Sequence, residues 1–267
     1  MFAPDLFDDR VALVTGAGRG IGQSIAVALA EHGADVVVND VDEETCAETA
    51  DTIEDLGRTA LALPFDVTKP DAVEASIRRA REELGVIQHV VNNAGTSSTE
   101  SLLDLEPAEW DGVMNVNAKG TFLVARAAAH QCIDAGIPAS MANVASLVAV
   151  AGPQPGTGSY SPSKSAIRKL SEQMALEWAE HDIRVNAICP GLTRTPAGEA
   201  IYSDAEIRRE REAWVPVGRI GEPEDIARAA LFVLAPQNTY LTGESLVVDG
   251  GGQNVGIDRI PGRSERN

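Results

Sequence analysis

The stretch VALVTGAGRGIG, residues 11–22, joins an apolar run to a run of glycines. Val11 to Thr15 is short, β-branched and hydrophobic at successive positions, which suits a strand buried on both faces of a parallel sheet. After the glycines, Ile21, Ile25, Ala28 and Leu29 recur at helical spacing. A glycine-rich turn between strand and helix lets backbone approach a pyrophosphate closely, and the free N–H groups of the helix start can hold that anion. Taken alone such a loop is a weak signal. Its context strengthens it: Asp40 stands 18 residues after Gly22, at the end of a second apolar run, DVVVN (35–39). A carboxylate there can accept hydrogen bonds from both hydroxyls of an adenosine ribose. It also bears on cofactor choice. A ribose 2′-phosphate about 4 Å away would be repelled by roughly 4 kcal/mol per unit charge at an effective dielectric near 20. Asp40 therefore favours NAD over NADP. Arg19 pulls the other way, but Asp42, Glu43 and Glu44 only add negative charge after Asp40.

Outward from this stretch, apolar runs alternate with amphipathic ones. The runs are TALAL (59–63), VIQHVV (86–91), MANVA (141–145), IRVNAI (183–188) and SLVVD (245–249). Helical patterns fall at 21–32, at 70–84 (opening with Pro70 and Asp71), at 107–135 as one or two helices, and at 160–180. The alternation predicts an α/β chain: a doubly wound parallel sheet of about seven strands with helices on both faces. No Gly-, Pro- or Ser-rich linker divides it, so a single domain is expected, with a core at about 8–252. Residues 192–216 interrupt the alternation and read as a helical insertion. The tail, 253–267, is polar and reads as extended.

The net charge of -18 argues against nucleic acid or an anionic membrane surface as partner. Residues 135–163 carry no charge, but Gly, Pro and Ser interrupt them, so they are not a membrane span. Cys46, Cys132 and Cys189 are scattered and odd in number, and the four histidines form no cluster. Neither a disulfide framework nor a metal site is expected, and a reducing cytoplasm is the natural compartment. The segment MFAPDLFDDR lacks a basic region followed by an apolar run, so no signal peptide is expected there.

The glycine spacing is T-G-x-x-x-G-x-G. With Asn92-Asn93-Ala94-Gly95 after the fourth run and Tyr160-Ser-Pro-Ser-Lys164, it resembles the short-chain dehydrogenase/reductase family over roughly residues 8–252. The resemblance implies that Gly16, Gly20 and Gly22 are the cofactor-loop glycines, with Arg19 and Ile21 beside them. It implies that Asp66 and Val67 hold the adenine, and that Asn93, Ala94 and Gly95 line the cofactor. It places Asn117, Ser146, Tyr160 and Lys164 in catalysis, and Pro190, Gly191, Leu192 and Thr195 against the nicotinamide. Ser146 lies in an A-S pair where S-S is common, and its 14-residue distance to Tyr160 implies a slightly long loop at 149–159. The resemblance also implies a homotetramer.

Chemically, Tyr160 is the candidate acid/base in a hydride transfer between NAD and a secondary alcohol or ketone. Its reference pKa of about 10 is high for that task. Lys164, on the same helical face at i+4, can favour the phenolate and bond the nicotinamide ribose. Ser146 would hold the substrate oxygen, and Asn117 a water that passes protons from Lys164 to solvent. Pro162 suits the first turn of their helix. Ala197, Ala200, Ile201, Tyr202, Trp214 and Val215 suggest a roof over a small or medium substrate, such as a polyol, sugar, cyclic alcohol or hydroxysteroid. Two rival readings stand. One is an NADPH-dependent reductase of 3-oxoacyl thioesters, favoured by Arg19. The other is a non-catalytic NAD-binding regulator, disfavoured by the complete Asn117, Ser146, Tyr160, Lys164 set.

Overall fold

The computed structural model describes residues 2–152, 154–198 and 203–255. Ala200, Ile201, Tyr202 and the tail beyond Val255 lie outside them. In chain order the elements are β1 (Val11–Thr15), α1 (Gly20–Glu31), β2 (Asp35–Asn39), α2 (Glu43–Asp55), β3 (Ala60–Ala62), α3 (Pro70–Glu83) and β4 (Ile87–Asn92). There follow α4 (Pro107–Met114), a π-helical turn (Asn115–Gly120), α5 (Thr121–Ala135), β5 (Ala139–Val144), α6 (Tyr160–Trp178) and β6 (Ile183–Pro190). The last are α7 (Ala205–Trp214), α8 (Pro223–Leu234) and β7 (Ser245–Val248). The strands form one sheet in the order β3-β2-β1-β4-β5-β6-β7, with every neighbouring pair parallel.

Alternate strand residues feed opposite layers, as the two-residue period of a strand requires. Val14 and Val36 pack with Ile25 and Leu29 of α1, Ile53 of α2, and Ile226 and Leu231 of α8. Leu13 and Val37 pack on the other side with Ile77 of α3, Val124 of α5 and Met174 of α6. Both faces of the central strands are thus buried, which explains their unbroken apolar runs.

The edges depart from expectation. All three residues of β3 and all four of β7 are only half-buried, because each strand has one neighbour. The run MANVA marks the fifth strand late. Pairing begins at Ala139 and takes in Ser140, a buried polar residue whose hydroxyl donates to Leu234 O at 2.9 Å and meets His89 Nδ1 at 2.8 Å. In the 192–216 segment the described residues form a 3-10 turn, Pro196–Gly198, and α7. Val215 is buried, and the Trp214 ring closes on Gly252, where an added Cβ would lie 2.8 Å from it. These two apolar groups pack on the turn after β7.

At β1 and β4 the order of connection reverses: the chain leaves β1 toward β2 and leaves β4 toward β5. In an open parallel sheet this switch point leaves a crevice beyond the carboxyl ends of the strands.

Candidate active site

The crevice holds a cleft of about 500 Å³ lined by Gly16, Arg19, Gly20, Ile21, Asp40, Asp66, Val67, Asn93, Ala94, Gly95 and Thr195. Gly16 and Gly20 take φ of +61° and +60°, a left-handed conformation that side chains disfavour. A Cβ on Gly16 would also fall 2.9 Å from Ala94 Cα. Gly22 has a different part. It sits behind the loop, where a Cβ would meet Gly16 O, so it lets α1 pack against the turn. The first turn of α1 carries no acidic residue and its N-cap position, Arg19, makes no side-chain cap, so the leading N–H groups are open to an anion.

Asp40 is oriented by backbone donors. Gly18 N donates to Oδ2 at 3.0 Å, and Val41 N and Asp42 N donate to Oδ1 at 2.8 and 3.3 Å. Oδ2 keeps lone-pair capacity for a ligand hydroxyl. Asn93 braces the loop from below, donating through Nδ2 to Thr15 O (3.1 Å) and Gly16 O (2.9 Å). Thr15 Oγ1 in turn accepts from Asn93 N and Ala94 N, each at 3.1 Å. Asp66 closes a turn by accepting from Thr68 N at 2.8 Å, and Val67 is buried against Gly120. An open helix N-terminus, a carboxylate with free capacity and a cleft that both of them line fit a dinucleotide.

A second cluster adjoins the first at Gly95, where an added Cβ would lie 3.3 Å from Asn117 Oδ1 and 3.4 Å from Lys164 Nζ. Lys164 is buried and donates from Nζ to Val144 O at 2.8 Å. Its Nζ lies 5.7 Å from the Tyr160 ring centroid, as one shared helical face demands. Burial holds this ammonium down to about 8, opposed weakly by Cys189. Burial also pushes the Tyr160 phenol up, and the hydrogen bond with Ser146 pulls it back by less. In the protein alone, desolvation thus outweighs the Ser146 hydrogen bond and leaves the phenol raised. Ser146 caps the 3-10 turn Leu147–Ala149, its hydroxyl accepting from Val148 N at 3.4 Å.

Asn117 is bonded into the wall of the site. Its Oδ1 accepts from Thr96 N at 2.8 Å, and its Nδ2 donates to Thr96 O (2.9 Å) and Ser163 Oγ (2.8 Å). Both amide protons are occupied within the protein, so the side chain ties elements together. Pro190 ends β6 and is buried, and Gly191 N donates to Val248 O at 2.9 Å. Leu192 lines a cavity with Val215 and Asp249. Thr96 and Ser163 belong to the site's framework without a signal in the sequence. Thr15, the threonine of the T-G-x-x-x-G-x-G spacing, belongs to it as the last residue of the first strand.

A family model described as enoyl-(acyl carrier protein) reductase matches residues 16–253. The chain is 37% identical over 244 residues to 2-dehydro-3-deoxy-D-gluconate 5-dehydrogenase of Escherichia coli K12, covering 91% of this chain and 95% of that one. Among solved structures, a short-chain type dehydrogenase/reductase from Mycobacterium marinum superposes with a TM-score of 0.87 at 36% identity, covering 93% of this chain and 98% of the other. A gluconate 5-dehydrogenase from Burkholderia cenocepacia, solved with NADP and tartrate, superposes with a TM-score of 0.88 at 35% identity, covering 94% and 98%.

Proposed function

Because the chain belongs to the short-chain dehydrogenase/reductase family, we propose that it is an NAD-dependent enzyme that interconverts a secondary alcohol and its ketone, with Tyr160 transferring the proton. That it is an oxidoreductase of CH–OH groups with a nicotinamide cofactor follows from its relatives. The finer reading rests on one observation above all: Ser146, Tyr160 and Lys164 converge beside Gly95 at the end of the cleft.

A bound nicotinamide would supply the hydride acceptor or donor and, when oxidised, a positive ring. The Ser146 hydroxyl holds the substrate oxygen against the phenol. Tyr160 Oη takes the alcohol proton in one direction and returns it in the other. Lys164 has one N–H committed to Val144 O, leaving two for ribose hydroxyls and for proton exchange. Asn117 fixes the wall that faces them. The substrate is a small or medium secondary alcohol, and the sugar-acid relatives favour a polyol or sugar derivative. The same reading takes residues 8–252 as one catalytic domain of a cytoplasmic homotetramer. Half-exposed Phe122 on α5 and Phe232 on α8 offer apolar contact for the assembly.

NAD preference is supported by Asp40, whose carboxylate faces the adenosine end of the cleft. Arg19 in the same cleft supports a second reading, NADP-dependent reduction of an acyl thioester, and the Burkholderia relative binds NADP. The test is a panel of secondary alcohols and ketones with both cofactors, run on the protein and on Tyr160→Phe. Loss of at least about a hundredfold in kcat, with cofactor affinity nearly unchanged, is expected of the variant. Undiminished turnover would remove Tyr160 from the mechanism, and a clear preference for NADP would remove NAD.

A further inference from the structure

We propose that Ser163 is a positioning residue that registers the first turn of α6, and with it Tyr160, to the wall of the cleft. The inference rests on the reading above that Tyr160 transfers the proton.

The hydrogen-bond directions are determined. Thr96 N–H is a donor, so the Asn117 atom 2.8 Å away must be the oxygen. The amide nitrogen therefore faces Thr96 O at 2.9 Å and Ser163 Oγ at 2.8 Å. Ser163 accepts there, so its own single proton is free, and it goes to Tyr160 O at 2.7 Å. Asn117 and Ser163 are each 0% exposed, so water cannot replace either partner without rearrangement. The result is one hydrogen-bonded chain, buried at its centre: Thr96 backbone, Asn117 amide, Ser163 hydroxyl, Tyr160 carbonyl.

Its ends give it meaning. Thr96 directly follows Gly95, which separates Asn117 Oδ1 from Lys164 Nζ. Tyr160 and Lys164 span the first turn of α6. A serine bonding the carbonyl three residues earlier supplements the helix ladder and biases the local bend. Here it draws the Tyr160 carbonyl toward Asn117. The π-helical turn Asn115–Gly120 supplies the other side, since a π-turn displaces a residue from ordinary helical phase. The phenol's place relative to the cleft is thus fixed by Ser163 as well as by packing. Ser163 touches no reacting atom and acts through Tyr160.

The experiment compares wild type, Ser163→Ala, Ser163→Cys and Tyr160→Phe. It reads kcat against pH, cofactor affinity by fluorescence, melting temperature, and phenolate absorbance with the Tyr160→Phe protein as blank. For Ser163→Ala we expect cofactor affinity within about threefold, kcat lower by about tenfold or more, and the kcat ionisation displaced by about half a pH unit. The Tyr160 phenolate titration moves in the same sense, and Ser163→Cys falls between alanine and wild type. An unchanged kcat and pH profile would overturn the proposal. So would a loss of activity that tracks melting temperature with the pH profile unmoved, which marks a purely structural role. Should the alanine variant not fold, the cysteine variant is read by the same criteria. Turnover surviving in Tyr160→Phe would defeat the underlying reading instead, and the phenolate titration would still decide whether Ser163 governs that phenol.

Discussion

Lys164 carries two demands that conflict. It must bear charge beside the cleft, and it is buried with a single fixed partner, Val144 O. Burial lowers its pKa from 10.5 to about 8. The sign of the consequence follows from proton counting. Between pH 8 and 10.5 the unfolded chain keeps the proton that the folded chain has lost, so stability rises with pH across that window. Below pH 8 both states hold the proton and the buried ammonium costs its full desolvation. The whole effect is on the order of 3 kcal/mol. We expect wild type to gain stability against Lys164→Met between pH 7.5 and 10, measured by denaturant unfolding of both proteins at each pH. Other groups that titrate in this range cancel in the difference. A difference that is flat with pH would show that the lysine ionises in the folded protein as it does in water.

Helix α2 shows how two nearby carboxylates divide their work. The structure gives the cap to Asp42, whose Oδ1 accepts from Glu44 N at 3.1 Å and Thr45 N at 3.3 Å. Asp40 points back to Gly18 and the cleft. Asp42→Ala should therefore cost about 1 kcal/mol of stability and leave the NAD to NADP affinity ratio unchanged. Asp40→Asn should move that ratio toward NADP by about tenfold or more and affect stability less, because it removes most of the repulsion on a 2′-phosphate. Unfolding curves and cofactor titrations on both variants separate the two roles. A ratio shift in Asp42→Ala would show that the division is wrong. The strands and most helices were legible because burial on both faces leaves a continuous apolar run and the helices keep their own period. The π-turn was not legible. Nothing in NVNAKG announces it; it depends on Thr121 Oγ1 donating to Asn117 O at 2.7 Å and on Gly120 fitting under Val67. Ser163 was hidden for the same reason, since its partner Asn117 lies 46 residues away.

At the scale of the whole molecule two electrostatic effects oppose each other. Several ion pairs among the described residues are exposed, as in Arg79–Glu83 and Arg126–Glu74, where each side chain is between 44% and 58% accessible. Such pairs contribute under about 1 kcal/mol apiece and weaken with salt. Against them stands a net charge of -18. Two like charges about 20 Å apart in water repel by only about 0.2 kcal/mol, but an excess of 18 makes roughly 150 such pairs. Their sum reaches the order of 10 kcal/mol at low salt, where the screening length of about 30 Å exceeds the molecule's radius. Unfolding relieves part of it by spreading the chain. Repulsion therefore wins over pairing, and the protein is expected to gain several degrees in melting temperature between about 10 mM and 1 M sodium chloride. Repeating the melt in potassium chloride tests that the gain follows ionic strength and not the identity of the cation. A melting temperature that falls with salt would mean that the ion pairs carry more of the stability than their exposure allows.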